Sequence, residues 1–534
     1  MVSLNGDANL PREILGNKGH CIDVMRRHNL PVPPAFCITT EVGLEVLAGR
    51  EATMDAIWDD VLDRMRWLET ETSRTFGAGP RPLLVSVRSG ATYSMPGMMD
   101  TILNLGMNDA VETALAKAMA QAQAHSPGAQ AFARDTRRRF TNMYQRTVQS
   151  GSVPADPYAQ LRAGIEAVFA SWNSPRAVAY RDHYGLDDRC GTAVVVQAMV
   201  FGNLGSNSGA GAIFSRNPIT GANEPFGEWL PGGQGDDVVS GLVDVEPITA
   251  LRNAHAAVYD ELTGAARRLE RIGSDVQEIE FTVEDGTLWL LQTRPAERSA
   301  QAAARLALQL RQEGLIDDAE TLRRVTRAHV EALLLPSLQP ETRLTAQLLA
   351  KGLPACPGVV SGIAYTEVDA ALDAADRGER VILVRDHTRP DDVLGMLAAA
   401  GIVTDVGGAA SHAAVVSREL GRVAVVGCGH GVAASLAGKQ ITVDGYQGEV
   451  RDGNLPLSAW SEDDAPELRD LADIARRMSP LRAHATGDHP RLDDTSSNME
   501  AAVRAALDTG ITDVVSVTPL ITMLTALRLA GQVV

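Results

Sequence analysis

The run Gly407-Gly408-Ala409-Ala410-Ser411-His412-Ala413-Ala414-Val415-Val416-Ser417-Arg418 constrains this chain more than any other segment. A short apolar strand, Gly401-Ile402-Val403-Thr404, leads into the glycines, and Arg418-Glu419-Leu420-Gly421 closes a helix that opens at His412. One histidine is thereby set at a helix N-terminus, where free backbone N–H groups and the macrodipole favour negative charge. An imidazole held there can attack a phosphate and keep the phosphoryl group. The same run also reads as a capped helix with an incidental histidine, so the rest of the chain has to decide between the two.

Bulk properties narrow the classes. At 534 residues the chain has room for three or four domains of about 150 residues each, and its 45% apolar content supplies their cores. A net charge of −18 argues against a nucleic-acid or anionic-membrane surface, while leaving room for a local basic pocket around nucleotide phosphates. The five cysteines (Cys21, Cys37, Cys190, Cys356 and Cys428) are scattered without paired spacing. Neither a structural zinc site nor a disulfide framework is expected, and a reducing cytoplasm is the expected location. The opening residues lack the basic and apolar regions of a signal peptide, and no apolar run reaches the ~18 residues of a transmembrane helix.

Residues 1 to about 298 mix strands, helices and glycine loops. Strands are expected at Leu83–Arg88, Ala193–Val200 and Ala212–Arg216, with helices over Asp109–Gln123 and Pro157–Ser171 and a loop at Gly202–Gly211. An Ala-, Leu- and Arg-rich segment from about Ser299 reads as a helical connector. The Pro/Gly break at Leu353–Gly358 opens a second domain that runs to about 455. A polar, acidic stretch then leads into a strand–helix–strand pattern. No internal repeat or low-complexity tract is present.

A second chemical signal lies at the end of the first domain. Gln277–Val283 alternates as a strand with Glu278 and Glu280 on one face, Asp285-Gly286 is a hairpin turn, and the return strand puts Gln292 and Arg294 on one face. Such a hairpin gathers two carboxylates, an amide and a guanidinium. Carboxylates hold Mg²⁺, and arginine pairs with phosphate oxygens. Upstream, Arg88 ends a buried strand and enters a loop with Gly90 and Gly97 that lets backbone N–H groups approach phosphates. Lys18, just before a helical run, is a candidate second phosphate cation. The plainer readings are a solvated hairpin face, a packing loop built on Met98 and Met99, and a solvated lysine.

Together these segments resemble the pyruvate, phosphate dikinase family. The likeness lies in Ser86–Gly90 with Ser94–Gly106, in Ser208–Pro218 followed by Gly227-Glu228 and Gln234–Val239, and in the His412 run. It implies a multi-domain α/β (α+β) chain. Residues 1–298 would form an ATP-grasp-type nucleotide-binding domain and 299–350 a helical connector. A swivelling β/β/α phosphohistidine domain would occupy 351–455, followed by a short α/β tail at 456–534. By position, Lys18, Arg88, Gly97, Glu278, Glu280, Gln292 and Arg294 would line the ATP site, with Mg²⁺ on Glu278 and Glu280. His412 would attack the β-phosphate and release AMP. Inorganic phosphate would then remove the terminal phosphoryl group as pyrophosphate, leaving phospho-His412.

Three departures accompany the resemblance. Ala410 stands where the family usually carries threonine, the hydroxyl modified by its regulatory kinase, so that control is expected to be absent. Glu278 stands where the family often has aspartate, and Arg418–Gly421 with Ala424–Gly429 lean toward the phosphoenolpyruvate synthases. Most important, the family's (β/α)₈ barrel, which binds phosphoenolpyruvate and pyruvate, needs ~250 residues. Only the tail lies beyond 456, where Pro480–Asp488 and Asn498–Ile511 resemble a barrel's first strand and helix. The phosphoryl acceptor is therefore expected on a separate pyruvate-binding protein or another molecule. The alternatives are a small-molecule phosphotransferase of the phosphoenolpyruvate synthase or antibiotic-phosphorylating type, and a non-catalytic ATP-binding protein. No nucleic-acid or membrane partner is expected.

Overall fold

The computed structural model describes residues 1–532 except 50–51, 94, 96–97, 123–127, 150, 241–242, 244, 335–336, 339, 459–461, 463–464 and 494–497. Gly97 lies outside the described residues.

Two antiparallel five-stranded sheets make the first part of the molecule. In one, Val85–Ala91 is flanked by Thr101–Leu105 and Thr192–Ala198, with Ala35–Ile38 and Val2–Ser3 beyond. In the other, Gly209–Phe214 lies between Phe226–Pro231 and Gln277–Glu284, and the latter pairs with Thr287–Pro295. The hairpin expected at Asp285-Gly286 is present. Both turn residues have positive φ, 47° and 77°, as a two-residue turn matched to strand twist requires.

One strand starts earlier than its sequence suggested. Gly209-Ala210-Gly211, read as the end of a loop, belongs to the middle strand. The Trp229 and Phe281 rings stack 5.9 Å apart with planes 4° from parallel. A Cβ on Gly209 would overlap the Trp229 ring, and one on Gly211 would crowd Phe281. These glycines are strand residues whose missing side chains are replaced by cross-strand aromatics, a pattern that looks like a loop in one dimension.

The helix Arg12–Arg27 joins the two sheets. Its Leu15, Ile22 and Met25 share one core with Val195 of the first sheet and Ile279 and Leu290 of the second. The helix is broken at Gly16, whose φ of 66° and ψ of 168° are non-helical. A Cβ there would overlap the carbonyl oxygen of Gly90. The break lets the helix press against the strand that carries Arg88, and it sets the position of Lys18.

The helices Ala300–Gln312, Asp318–Arg324 and Arg327–Leu333 pack with the tail helices Pro466–Met478, Met499–Asp508 and Pro519–Leu529 around a separate apolar core. The first and last of the tail helices were not foreseen; Pro466–Met478 was read only as polar and acidic. Between connector and tail in sequence lies an eight-stranded sheet. Its centre is parallel: Val359–Tyr365, Val381–Arg385, Gly401–Thr404 and Val423–Val426. Leu353–Cys356, read as a break, is an edge strand paired with Val423–Val426. The helix His412–Leu420 is the crossover between two parallel strands, ended by Gly421 in the left-handed region. His412 therefore sits beyond the carboxyl end of a parallel strand, where open α/β sheets place their ligands. Among the described residues, no helix is long and apolar enough to cross a membrane.

The contact at Gly16 can be tested against a glycine that also has a positive φ but open space around it. Gly314 has φ 74° and no atom within 4 Å of its would-be Cβ. Gly314→Ala is expected to lose about 1 kcal/mol, the left-handed strain alone. Gly16→Ala adds a backbone overlap and is expected to lose roughly 2–5 kcal/mol by urea unfolding.

Candidate functional site

The hairpin register decides which charges meet. Glu278 is opposite Arg294 and Glu280 opposite Gln292, and the register shift falls just after Glu280. Arg294 grips Glu278 with two bonds, Nε to Oε2 at 3.1 Å and Nη2 to Oε1 at 3.0 Å. From the other sheet, Arg88 Nη2 donates to Glu280 Oε2 at 3.1 Å and to Gln292 Oε1 at 2.9 Å. The five residues expected to act together on phosphate and metal thus form two adjacent bonded groups, and the one centred on Arg88 bridges the two sheets.

Lys18 completes the cluster. Its Cβ lies 3.7 Å from the Cβ position of Gly90, beside Arg88. Burial, followed by Arg88, pulls the ammonium down to about 7 against the opposing attraction of Glu280. With like charges so near, it gives up its proton close to neutrality. An incoming polyanion reverses that balance.

His412 opens its helix behind Ser411, whose hydroxyl caps the Ala414 N–H at 3.4 Å. The ring is buried, 7% exposed. Nδ1 lies 3.0 Å from the Thr388 hydroxyl, and Nε2 has no hydrogen-bond partner among the described residues. Burial pulls the imidazole down to about 4, with nearby Asp392 opposing. The ring is neutral at physiological pH, with one nitrogen anchored and the other buried but unpaired, so its lone pair is free once a phosphate is brought to it.

The turn before His412 is docked on the second sheet. Buried Glu228 accepts the N–H groups of Ala409 and of Ala410, the latter at 3.1 Å. A Cβ on Gly408 would overlap that carboxylate. Burial pushes Glu228 above its ordinary range, against the two amides and Arg418. Arg418 donates to the Ala409 carbonyl at 2.8 Å and lies 5.6 Å over the Phe214 ring. The Ala410 methyl belongs to the same apolar cluster as Ala212 and Phe214. Nearby, Met95 and Met98 of the Arg88 loop cluster with Val393. Arg176 ties that loop to the histidine-bearing unit, through Asp100 at 2.6 Å and Asp391 at 3.3 Å.

Sequence reasoning missed Thr388 and Asp392 as neighbours of His412, and it quoted Glu228 only as part of a motif. Thr388 follows the strand Val381–Arg385, adjacent and parallel to the strand leading to His412. Only the sheet order brings the two together.

A cluster of opposed charges thus lies beside a docked, histidine-bearing domain, and comparisons with known proteins name the families these two parts match. Residues 53–259 match the family model "Pyruvate phosphate dikinase, AMP/ATP-binding domain", and 378–448 match "PEP-utilising enzyme, mobile domain". The pyruvate, phosphate dikinase of Clostridium symbiosum is 37% identical over 510 residues, covering 84% of this chain and 57% of that protein. The Rhizobium meliloti (strain 1021) enzyme is 37% identical over 539 residues, covering 88% and 59%. Pyruvate, phosphate dikinase 2 of Zea mays is 36% identical over 553 residues, covering 90% and 61%. A solution structure of Enzyme I aligns to 19% of this chain at 28% identity with a TM-score of 0.13, too low to bear on the fold. The chain thus carries the AMP/ATP-binding and mobile domains found in pyruvate, phosphate dikinases, to which it is similar along most of its length. It spans 57% to 61% of the length of these relatives.

Lys18 gives the site a pH signature. Its depressed value means that a bound triphosphate restores a missing proton. Calorimetry in buffers of different ionisation heat is expected to show proton uptake on ATP binding, small below pH 6 and rising through 7 toward about one proton at pH 8–9. Affinity falls over the same interval, and Lys18→Met abolishes the uptake.

Proposed function

We propose that this chain uses ATP and inorganic phosphate to phosphorylate His412, in the manner of pyruvate, phosphate dikinase. The observation that carries this reading is the neutral imidazole, its Nε2 unpartnered among the described residues, on a turn docked against the sheet that bears Glu278, Glu280 and Arg294.

Arrival of the triphosphate exchanges partners within the site. Arg88, Arg294 and Lys18 turn to phosphate oxygens, for which a guanidinium is geometrically suited. Glu278 and Glu280 are thereby released. Two carboxylates two residues apart on one strand face are hard oxygen donors that fit Mg²⁺, which takes one or two protein carboxylates and completes its shell with phosphates and water. When bound there, the ion neutralises charge on the transferring phosphates.

Thr388 accepts the Nδ1 proton of His412 and leaves the Nε2 lone pair to attack the β-phosphorus. The bond from that phosphorus to the α–β bridging oxygen breaks, and AMP departs with the electron pair. An oxygen of inorganic phosphate then attacks the terminal phosphorus of the pyrophosphoryl-histidine. Pyrophosphate leaves, and one phosphoryl group remains on His412. The protein's contribution is positioning and charge compensation. Pyruvate is the final acceptor, at a site outside these 534 residues.

Label position tests the scheme. ATP carrying ³²P at the β-phosphate is expected to mark wild-type protein but not His412→Ala, and γ-labelled ATP is expected to lose its mark once phosphate is added. Equal labelling of His412→Ala defeats the reading. The purified chain alone is expected to show little or no exchange between phosphoenolpyruvate and pyruvate. Thr388→Val is expected to slow histidine phosphorylation by up to about 100-fold through misorientation of the ring, with ATP affinity unchanged.

A further inference from the structure

The tail holds a second group of ligating side chains that the nucleotide chemistry does not use. Its two short strands, Arg482–His484 and Asp513–Val515, run parallel with Arg482 opposite Asp513. Residues 482 and 484 share a face of the strand, so both reach the same carboxylate. Arg482 Nη2 donates to Asp513 Oδ2 at 2.6 Å, and His484 Nε2 lies 3.0 Å from Oδ1. The chain then turns through Gly487, at φ 141°, and comes back beside the second strand. Two backbone bonds hold the return, Val515 N–H to the Pro490 carbonyl and Leu492 N–H to the Val515 carbonyl, both 2.9 Å. The return stacks the His489 ring on His484, with centroids 4.9 Å apart and planes 24° from parallel. One ligand atom from each of His484, His489 and Asp513 lies within 4.8 Å of the others.

We propose that His484, His489 and Asp513 form a binding site for a divalent transition-metal ion of the zinc class, with a coordination position left open to solvent. The donor set selects the ion. Two imidazoles and one carboxylate suit zinc and its neighbours, whereas Mg²⁺ and Ca²⁺ demand oxygen shells. Arg482 occupies Oδ2 and turns Oδ1 toward the rings, the service an outer partner gives a ligating carboxylate. Bonds of roughly 2.1 Å to a tetrahedral ion place ligand atoms roughly 3.4 Å apart, so the trio closes by about 1 Å on binding. Exposed His489, on the returning loop, makes that movement. The proton now shared by His484 Nε2 and Asp513 leaves as the ion enters, to Nδ1 of the same ring or to water. Among the described residues, no other trio of His, Cys, Asp and Glu side chains is placed so closely.

The test uses the full chain, a fluorescent chelator in competition for Zn²⁺, and Co²⁺ as a spectroscopic probe. Wild type is expected to bind one Zn²⁺ per chain with no displacement by millimolar Mg²⁺, and the Co²⁺ form is expected to show visible d–d bands. His489→Ala, an exposed substitution that leaves the fold intact, is expected to weaken Zn²⁺ by at least roughly 10–100-fold and to lose the bands, with AMP formation unchanged. Equal Zn²⁺ affinity in wild type and His489→Ala, or Co²⁺ bands that survive the substitution, overturns the proposal.

Discussion

Everything at the nucleotide site depends on how four opposed charges are kept out of water before substrate arrives. Glu278 and Arg294 face each other across one hairpin, and Arg88 reaches over from the other sheet to Glu280 and Gln292. Such pairs gain little net stability, because desolvation offsets most of the attraction. Removing one member is a different matter, since the orphaned charge costs about 3–5 kcal/mol. The cluster therefore stands or falls as a unit, and its weak net stabilisation would let phosphates take the arginines over in the proposed reaction. Lys18 is the sensitive member. Pressed against Arg88 by the break at Gly16, it carries its charge easily only when an anion is beside it.

The histidine side of the site answers the opposite problem. A nucleophile must be dry enough to stay neutral, yet able to leave with its cargo. Burial keeps His412 unprotonated, and Thr388 fixes one nitrogen without closing off the other. Docking is carried by a carboxylate on two turn amides, one arginine near a ring, and a few apolar contacts. The proposed phosphoryl group on His412 would add negative charge to a unit docked through Glu228, itself buried and already pushed toward protonation.

Much of this was legible in one dimension because its signals are local. The Asp285-Gly286 turn announces the hairpin and its first four pairs, but the one-residue shift after Glu280, which the sequence does not mark, is what sets Glu280 opposite Gln292 and Glu278 opposite Arg294. The cap, helix and closing glycine around His412 lie within a dozen residues. What stayed hidden was set by tertiary context. Gly209–Gly211 looked like a loop because the groups filling its missing side chains come from Trp229 and Phe281 on neighbouring strands. Thr388 and Asp392 are separated from His412 by the helix Val393–Ala398 and the strand Gly401–Thr404, and nothing in their own spacing marks them. His484 and His489 carry no helical or strand periodicity, since a turn rather than a regular element brings their rings together.

The division of apolar cores decides what kind of motion the proposed chemistry can use. The eight-stranded sheet is covered on its two sides by clusters drawn wholly from residues 350–450. That unit keeps its own core when it separates from the nucleotide sheets. Apolar contact with its neighbour is concentrated at Ala410 against Ala212 and Phe214, and at Val393 against Met95 and Met98. Interfaces this limited behave like transient docking surfaces. Rigid-body departure then exposes a few side chains and leaves both folds intact, whereas a hinge inside the sheet would break parallel ladders that nothing could replace. Alanine at 410 suits that arrangement: its methyl group completes an apolar contact where a hydroxyl would have to find a partner beside Phe214 each time the domain returned.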